Sequence, residues 1–271
     1  MDFLQKLVWN VFYRPRILER VSAGCFDTWA EIQTKGSPRR KIVTLFYRLI
    51  YLVMQKTQIG TFSKFCTGKQ TFAQHYQDLM VLYFSSAGTF IEIGASDGIT
   101  DNNTYLLENC GWSGICFEPN IDFWQLLTKN RKCLLDNRAV YSKTDQIVRF
   151  SVDHTATFSG VISSSQKKSI SSKMNTTREI RNVRTICLND IFSLLNSNNV
   201  TYLSLDVEGT ELEILEVFNF DEYQINMISV EHNGELKKSY HLNKLLRKKG
   251  YKRIFKYLSG PDFFYILKAV K

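Results

Sequence analysis

Two groups of acidic residues, far apart in the chain, carry side chains that could do chemistry. The first is Glu92, Asp97 and Glu118, set around the turn Gly94-Ala-Ser-Asp97-Gly98. The second is Asp206, Glu208 and Glu231, with His232 and Asn233 directly after. Glycines at 94 and 98 let the backbone turn sharply and leave space for a ligand. A dinucleotide pyrophosphate would want the full G-x-G-x-x-G series on a helix N-terminus. Here Glu92 and Asp97 flank the turn, which repels a pyrophosphate but suits the ammonium of an amino-acid ligand. That favours S-adenosylmethionine over NAD. Glu118 follows Glu92 by 26 residues, close to where a doubly wound fold places the acid that accepts the ribose hydroxyls. The second group suits a hard divalent cation held through oxygen, or a general base drawn from it. Helix caps and loop hydrogen bonds would explain Glu208 or Glu231 singly, but not the whole set.

The elements that must position these residues read as alternating strands and helices. Residues 89–93 are a short apolar run broken only by Glu92, as in a strand buried on both faces. Asn102 or Asn103 caps a helix over 104–109, Gly111 ends it, and 115–117 is a second buried strand delivering Glu118. Upstream, a helix over 72–84 enters the first strand, with Leu79, Leu82 and Tyr83 inward and Gln74, Gln77 and Asp78 on or near the outer side. His75 reads as solvent-exposed or capped. A helix over 122–131 and a third strand over 132–136 follow, ending in Asp136-Asn137, where a nucleoside-binding fold meets the adenine. Residues 146–152 alternate like an added edge strand. From 153 to 184 the chain is polar and without period; a loop this long in a compact domain has a function, here an acceptor-site lid, with roleless disorder the alternative. A helix over 187–196 precedes the strand 201–205 that delivers Asp206 and Glu208, and Gly209 turns the chain into a helix over 210–218. A strand starting at 227 ends in Glu231, His232 and Asn233, a basic helix over 235–249 follows, and 251–258 and 262–269 form a hairpin across Ser-Gly-Pro.

The 271 residues, 44% hydrophobic, allow one large or two small domains with a packed core. Six cysteines without a C-x-x-C pair read as reduced thiols in a cytoplasmic protein. The net charge of +9 is not spread evenly: residues 1–69 hold 12 Lys+Arg against 4 Asp+Glu, leaving 23 against 22 for the rest. Residues 1–69 are thus a basic helical arm, and 70–271 a nearly neutral body. The arm opens with an amphipathic helix (Phe3, Leu4, Leu7, Val8, Val11, Phe12) that Pro15 ends. Its apolar run over 42–54, interrupted by Arg48, is too short to span a bilayer. Two roles compete for residues 1–60: contact with an anionic membrane surface, which would put the protein at the inner membrane face, or docking on the body or a second copy. Docking is the preferred reading, because amphipathic helices in soluble proteins usually face a core.

With both acidic groups placed, the chain resembles the FkbM family of S-adenosylmethionine-dependent methyltransferases over residues 70–267. The resemblance rests on QD (Gln77-Asp78), FIEIGASDG (90–98), NTYLLE (103–108), GWSGICFEPN (111–120), LDVEGTELEIL (205–215) and SVEHN (229–233), in that order. It implies an α/β class I fold, a Rossmann-like seven-stranded sheet, parallel but for one antiparallel C-terminal strand. It also implies O-methylation of a hydroxyl-bearing small molecule or glycan, commonly a sugar or polyketide. By the same resemblance Glu92, Gly94 and Asp97 line the methionine part of the cofactor, with Asn103 nearby. Glu118 holds the ribose with Pro119 beside it, Asp136 and Asn137 flank the adenine, and Asp206 sits at the reacting centre. A looser analogy, to the metal-dependent catechol O-methyltransferases, puts Mg²⁺ or Mn²⁺ on Asp206, Glu208 and Glu231 and leaves His232 as the base. Three rivals stand beside this reading. An NAD(P)-dependent oxidoreductase lacks its third glycine. A nucleic-acid methyltransferase or binding module is suggested by the pI of 9.2. The neutral body and the lack of an Asn/Asp-Pro-Pro-aromatic motif oppose it, so no nucleic-acid partner is expected. A non-catalytic scaffold sits poorly with an intact acid set.

Overall fold

Side-chain alternation decides how the strands of this chain face. The computed structural model describes residues 61–62, 65–66, 68–152, 159–162, 179–255 and 262–268. The chain divides into two units, Met1–Thr71 and Phe72–Lys271. Of the first, the described residues include helical pieces at 61–62 and 65–66, so the expectations for residues 1–60 lie outside the described residues. Among the described residues no helix is long and apolar enough to cross a membrane.

The second unit begins with α1 (Gln77–Phe84), β1 (Thr89–Ile93), α2 (Tyr105–Asn109) and β2 (Ser113–Phe117). A 3-10 turn (Ile121–Phe123), α3 (Trp124–Asn130), β3 (Leu134–Asp136) and β4 (Ala139–Tyr141) follow. Next come β5 (Ile147–Val152), β6 (Gly160–Val161), β7 (Glu179–Cys187), α4 (Leu188–Leu194) and β8 (Asn199–Leu205). The chain closes with α5 (Glu211–Glu216), β9 (Gln224–Glu231), α6 (Leu236–Lys248), β10 (Tyr251–Ile254) and β11 (Asp262–Leu267). Seven strands form one sheet in the order β10-β11-β9-β8-β1-β2-β3. β11 runs antiparallel to both its neighbours, and the pairs from β9 to β3 are parallel. This is the Rossmann-like seven-stranded sheet, parallel but for one antiparallel C-terminal strand, that the resemblance implies.

The two faces of that sheet differ in chemistry. Ile91, Ile93, Ile115, Phe117, Leu203, Leu205, Ile228 and Val230 point to one side and pack with Ile191, Ile214, Leu242 and Leu246 from α4, α5 and α6. The residues between them make the other face polar at its centre: Glu92 lies opposite Ser204, and Ser204 opposite Ser229. Tyr202 and Ser229 hydrogen-bond there at 2.6 Å, fully enclosed.

Three sequence expectations need correction. Residues 146–152 do form a strand, but it belongs to a second sheet, in the order β4-β7-β5-β6, instead of edging the first. The stretch 153–184, read as one long loop, contains β6 and the start of β7, while 153–158 and 163–178 lie outside the described residues. The second sheet has its own small core of Ala139, Phe150, Val152 and Val161, which a polar, period-free stretch does not announce. Finally, Gln77 and Asp78 are buried at the start of α1, not outward. Asp78 turns back to accept backbone N–H groups from Phe72 (2.8 Å), Ala73 (3.3 Å) and Leu79 (2.7 Å). His75, just ahead, is half-buried, and burial lowers its pKa to about 4.

Candidate active site at the carboxyl rim of the sheet

The glycine turn after β1 is stitched to both neighbouring strands. Gly94 N–H donates to the Phe117 carbonyl at 3.0 Å, and Asp206 N–H donates to the Ile93 carbonyl at 3.1 Å. Gly94 has φ +90°, and a first side-chain carbon there would stand 2.1 Å from the Asp206 carbonyl oxygen. Only glycine allows the turn and the end of β8 to meet so closely. The two acidic groups seen in the sequence therefore share one rim.

Glu92 lies beneath this turn, not beside a ligand space. Its carboxylate is buried and accepts from Asn103 N–H (3.0 Å), Thr104 Oγ1 (2.6 Å) and Arg131 Nη1 (3.1 Å). Arg131, invisible to sequence reasoning, is the hub: it also donates to Glu108 (2.8 Å), Asn102 Oδ1 (3.0 Å) and Thr104 Oγ1 (2.8 Å). Asn102 Oδ1 in turn accepts from Thr104 and Tyr105 N–H, the capping bonds of α2. Asp97 is engaged by its own turn, accepting from Ile99 N–H, Thr100 N–H and the Thr100 hydroxyl. Burial pushes its pKa up, but those hydrogen bonds outweigh it and hold the carboxyl below the usual range.

Three features here can hold a ligand. Asn103 gives its Nδ2 to Ser204 Oγ at 2.8 Å, while its buried Oδ1 has no hydrogen-bond partner among the described residues. Such an acceptor is costly to leave unmade, and it is a fit for a cationic amine. Glu118 accepts Ser96 N–H (2.8 Å) on one oxygen and Asn120 N–H (2.7 Å) on the other, which leaves a further lone pair on each. Pro119 beside it is half-buried. Asp136, at the end of β3, is gripped by the Arg138 guanidinium through both oxygens, and Asn137 next to it is exposed.

On the acid side, Asp206, Glu208 and Glu231 each offer a carboxylate oxygen, and these lie within 4.8 Å of one another. Burial, and then crowding of like charge, raises all three. Burial and then Asp206 push Glu208 to about 8. Burial, and then the neighbouring carboxylates of Asp206 and Glu208, raise Glu231 further, to about 10. Asp206 itself is raised by burial and by Glu211, although its exposure at the rim lets water screen part of that push. Sequence reasoning missed a fourth acid. Asp262, first residue of β11, lies opposite Glu231 in register and accepts from the Gln77 amide. Burial raises it to about 7.

His232 is not placed as a base. It follows Glu231 by one residue, so alternation turns it to the other side, where its ring packs 4.1 Å from that of Phe263. Gly234 N–H donates to its Nδ1 at 3.1 Å, so the neutral ring carries its proton on Nε2 and presents a donor. Burial, then Arg253 and Lys238, lower its pKa to about 4, which keeps it neutral.

These shifts fix the sign of a pH dependence. A carboxyl whose folded pKa is raised loses stability as pH climbs from its unfolded value through its folded one. His75 and His232, both depressed, act the opposite way but only below their unfolded pKa of about 6.5. Between pH 6.5 and 8.5 the raised acids Glu118 (about 7), Asp262 (about 7), Glu208 (about 8) and Glu231 (about 10) are the ones among these groups that still cost stability as pH climbs. The metal-free protein should therefore melt roughly 5 °C lower at pH 8.5 than at 6.5. Calorimetry at both values checks this; a level or rising Tm contradicts it.

Residues 92–253 match the family model described as methyltransferase FkbM domain. Comparison with curated proteins finds no match. Among solved structures, the chain is similar to precorrin-6y C5,15-methyltransferase from Geobacter metallireducens GS-15, at 13% identity and TM-score 0.37, covering 74% of this chain and 91% of that one. It is also similar to M. capricolum TrmK in complex with S-adenosyl-homocysteine, at 12% identity and TM-score 0.36, covering 74% and 73%. A methyltransferase from Pyrococcus furiosus gives 13% identity and TM-score 0.36, covering 80% and 93%.

Proposed function

The chain belongs to the FkbM family of S-adenosylmethionine-dependent methyltransferases, and from that premise we propose that it methylates a hydroxyl oxygen of a sugar or glycan acceptor. The observation that carries this reading is the junction at Gly94, which sets the donor turn directly against the end of β8 where three carboxylates converge. S-adenosylmethionine supplies an electrophilic methyl group on a sulfonium. The residues present fit it. Asn103 Oδ1 would accept from its ammonium, Gly94 would admit the methionine part, and Glu118 would take the ribose hydroxyls. Pro119, Asp136 and Asn137 would border the adenine.

On the acceptor side the protein has to orient one hydroxyl and draw off its proton. Asp206 is the group proposed for this, because it is the exposed carboxylate of the three. Asp206, Glu208 and Glu231 would also hold Mg²⁺ or Mn²⁺, which lowers the pKa of a bound hydroxyl. Nucleic acid is not the acceptor proposed, since the basic excess lies in residues 1–69. Cysteine usage supports a cytoplasmic setting. Residues 1–60 would add docking between copies or contact with the inner membrane face.

Titration with S-adenosylhomocysteine tests the donor site, and a screen of nucleotide sugars, lipid-linked glycans and oligosaccharides for a methyl-sized mass gain tests the acceptor. Failure of every hydroxyl acceptor alongside methylation of an amine or carbon would overturn O-methylation. The metal has its own check. Mn²⁺ at a hundred times its Kd should stabilise the fold by about 2.7 kcal/mol, visible as roughly 5–10 °C in Tm and reversed by EDTA. No shift with either ion removes the metal from the proposal.

A further inference from the structure

A buried ion pair lies behind the acidic rim, and nothing in the transfer of a methyl group requires it. Lys238 of α6 is 8% exposed and Glu211, first residue of α5, is 0% exposed. Their charged groups meet at 2.5 Å. The other Glu211 oxygen, Oε1, accepts Val207 N–H at 3.3 Å and Gly209 N–H at 3.1 Å. Those two amides bracket Glu208, whose φ of +59° is a left-handed conformation that a glutamate adopts only under constraint. Gly160 closes the loop from outside, since a first side-chain carbon there would stand 2.9 Å from the Val207 carbonyl oxygen.

We propose that Lys238 and Glu211 are positioning residues: their ion pair locks the loop 207–209 so that Glu208 turns back toward Asp206 and Glu231. This rests, for its consequence, on the reading of those three carboxylates as a cation site. The geometry explains why a lysine is tolerated in a nearly dry place. A buried ion pair is weak evidence for stability, because desolvation offsets the attraction. What this pair gains is a fixed carboxylate with hydrogen bonds to two amides. The alternative role for Lys238 is simple charge compensation of the rim acids, and the two roles predict opposite effects on a cation. Removing a mere compensating charge tightens cation binding; removing a lock loosens it.

The full-length protein allows both readouts without an acceptor. In Lys238→Met, amide hydrogen exchange over residues 206–210 should accelerate about tenfold or more, as expected when the buried Glu211 loses its ion-pair partner. Mn²⁺ titrated against the same variant should bind about tenfold more weakly, with S-adenosylhomocysteine affinity unchanged. Lys238→Arg keeps the charge and should restore part of both. Glu211→Gln, which keeps an amide acceptor but not the ion pair, covers the case in which Lys238→Met does not fold, and should move exchange in the same direction. Wild-type exchange rates in these variants, or tighter Mn²⁺ binding in Lys238→Met, would overturn the lock. A wild-type protein that takes up no Mn²⁺ would remove the cation reading alone, and the exchange measurement would still decide the positioning role.

Discussion

Asp206→Asn is expected to cut methyl transfer by about a thousandfold or more while S-adenosylhomocysteine still binds close to its wild-type affinity. The size follows from two losses at one atom. A positioned proton acceptor contributes on the order of 10²–10⁴ in rate, and a cation site reduced from three carboxylates to two is weakened as well. The selectivity follows from geometry. What Asp206 contributes to the donor turn is its backbone: its N–H bonds Ile93, and its carbonyl meets Gly94. Asparagine keeps both, and the side chain stands exposed at the rim, so no cavity forms. The checks are incorporation of a labelled methyl group into the acceptor and calorimetric binding of the product cofactor. A variant retaining a tenth of wild-type turnover would remove Asp206 from the reacting centre.

Arg131→Met should produce the largest loss of stability. Its side chain is fully enclosed, and its partner Glu92 is 3% exposed. Without the guanidinium, Glu92 keeps only Asn103 N–H, the Thr104 hydroxyl and the Cys116 thiol around a buried charge. Breaking a buried pair from one side costs about 3–5 kcal/mol, equivalent to roughly 10 °C or more in Tm for a domain of this size. Because Asn102 and Thr104 lose a donor at the same time, the position of Asn103 loosens and donor affinity should fall with stability. Arg131→Met combined with Glu92→Gln should recover a large share of the Tm, since the stranded charge is then gone. Lysine should not replace Arg131, because a point charge cannot reach Glu92, Glu108 and Thr104 in a planar fork. Thermal melts of wild type, Arg131→Met, Glu92→Gln, the double variant and Arg131→Lys decide this, and additive losses in the double variant would contradict it.

The parts legible in the sequence were those governed by short-range rules. Apolar runs ending in acids marked β1, β2, β8 and β9, and glycines at 94, 98 and 209 marked the turns that follow or precede helices. The second sheet was not legible, because β7 pairs along its length yet leaves Ile180 exposed, with Arg181 and Arg184 breaking any alternation. Arg181 looks like a surface charge in sequence, but it bridges to Asp122 at 2.9 Å and so ties this sheet to the loop after β2. Arg131, Lys238 and Asp262 were equally hidden. Each acquires its role from a partner 23 or more residues away, and no local pattern distinguishes a buried arginine from a solvated one. Glu92 and Asp97 show the reverse limit. Their positions were noticed, but which atoms satisfy a carboxylate is decided by the folded surroundings.

The division of the large sheet into an oily side and a polar side has a consequence for how this chain can misassemble. In β8, Leu203 and Leu205 alternate with Ser204 and lead to Asp206. A slip of one residue against β1 or β9 would send Ser204 and Asp206 into the aliphatic layer and expel both leucines. Such a product is too unstable to persist as a slow catalyst. The pairing that lets the chain fold and the pairing that brings Asp206 level with Glu231 are the same, so folded molecules should form a single population in which the rim is assembled in every copy.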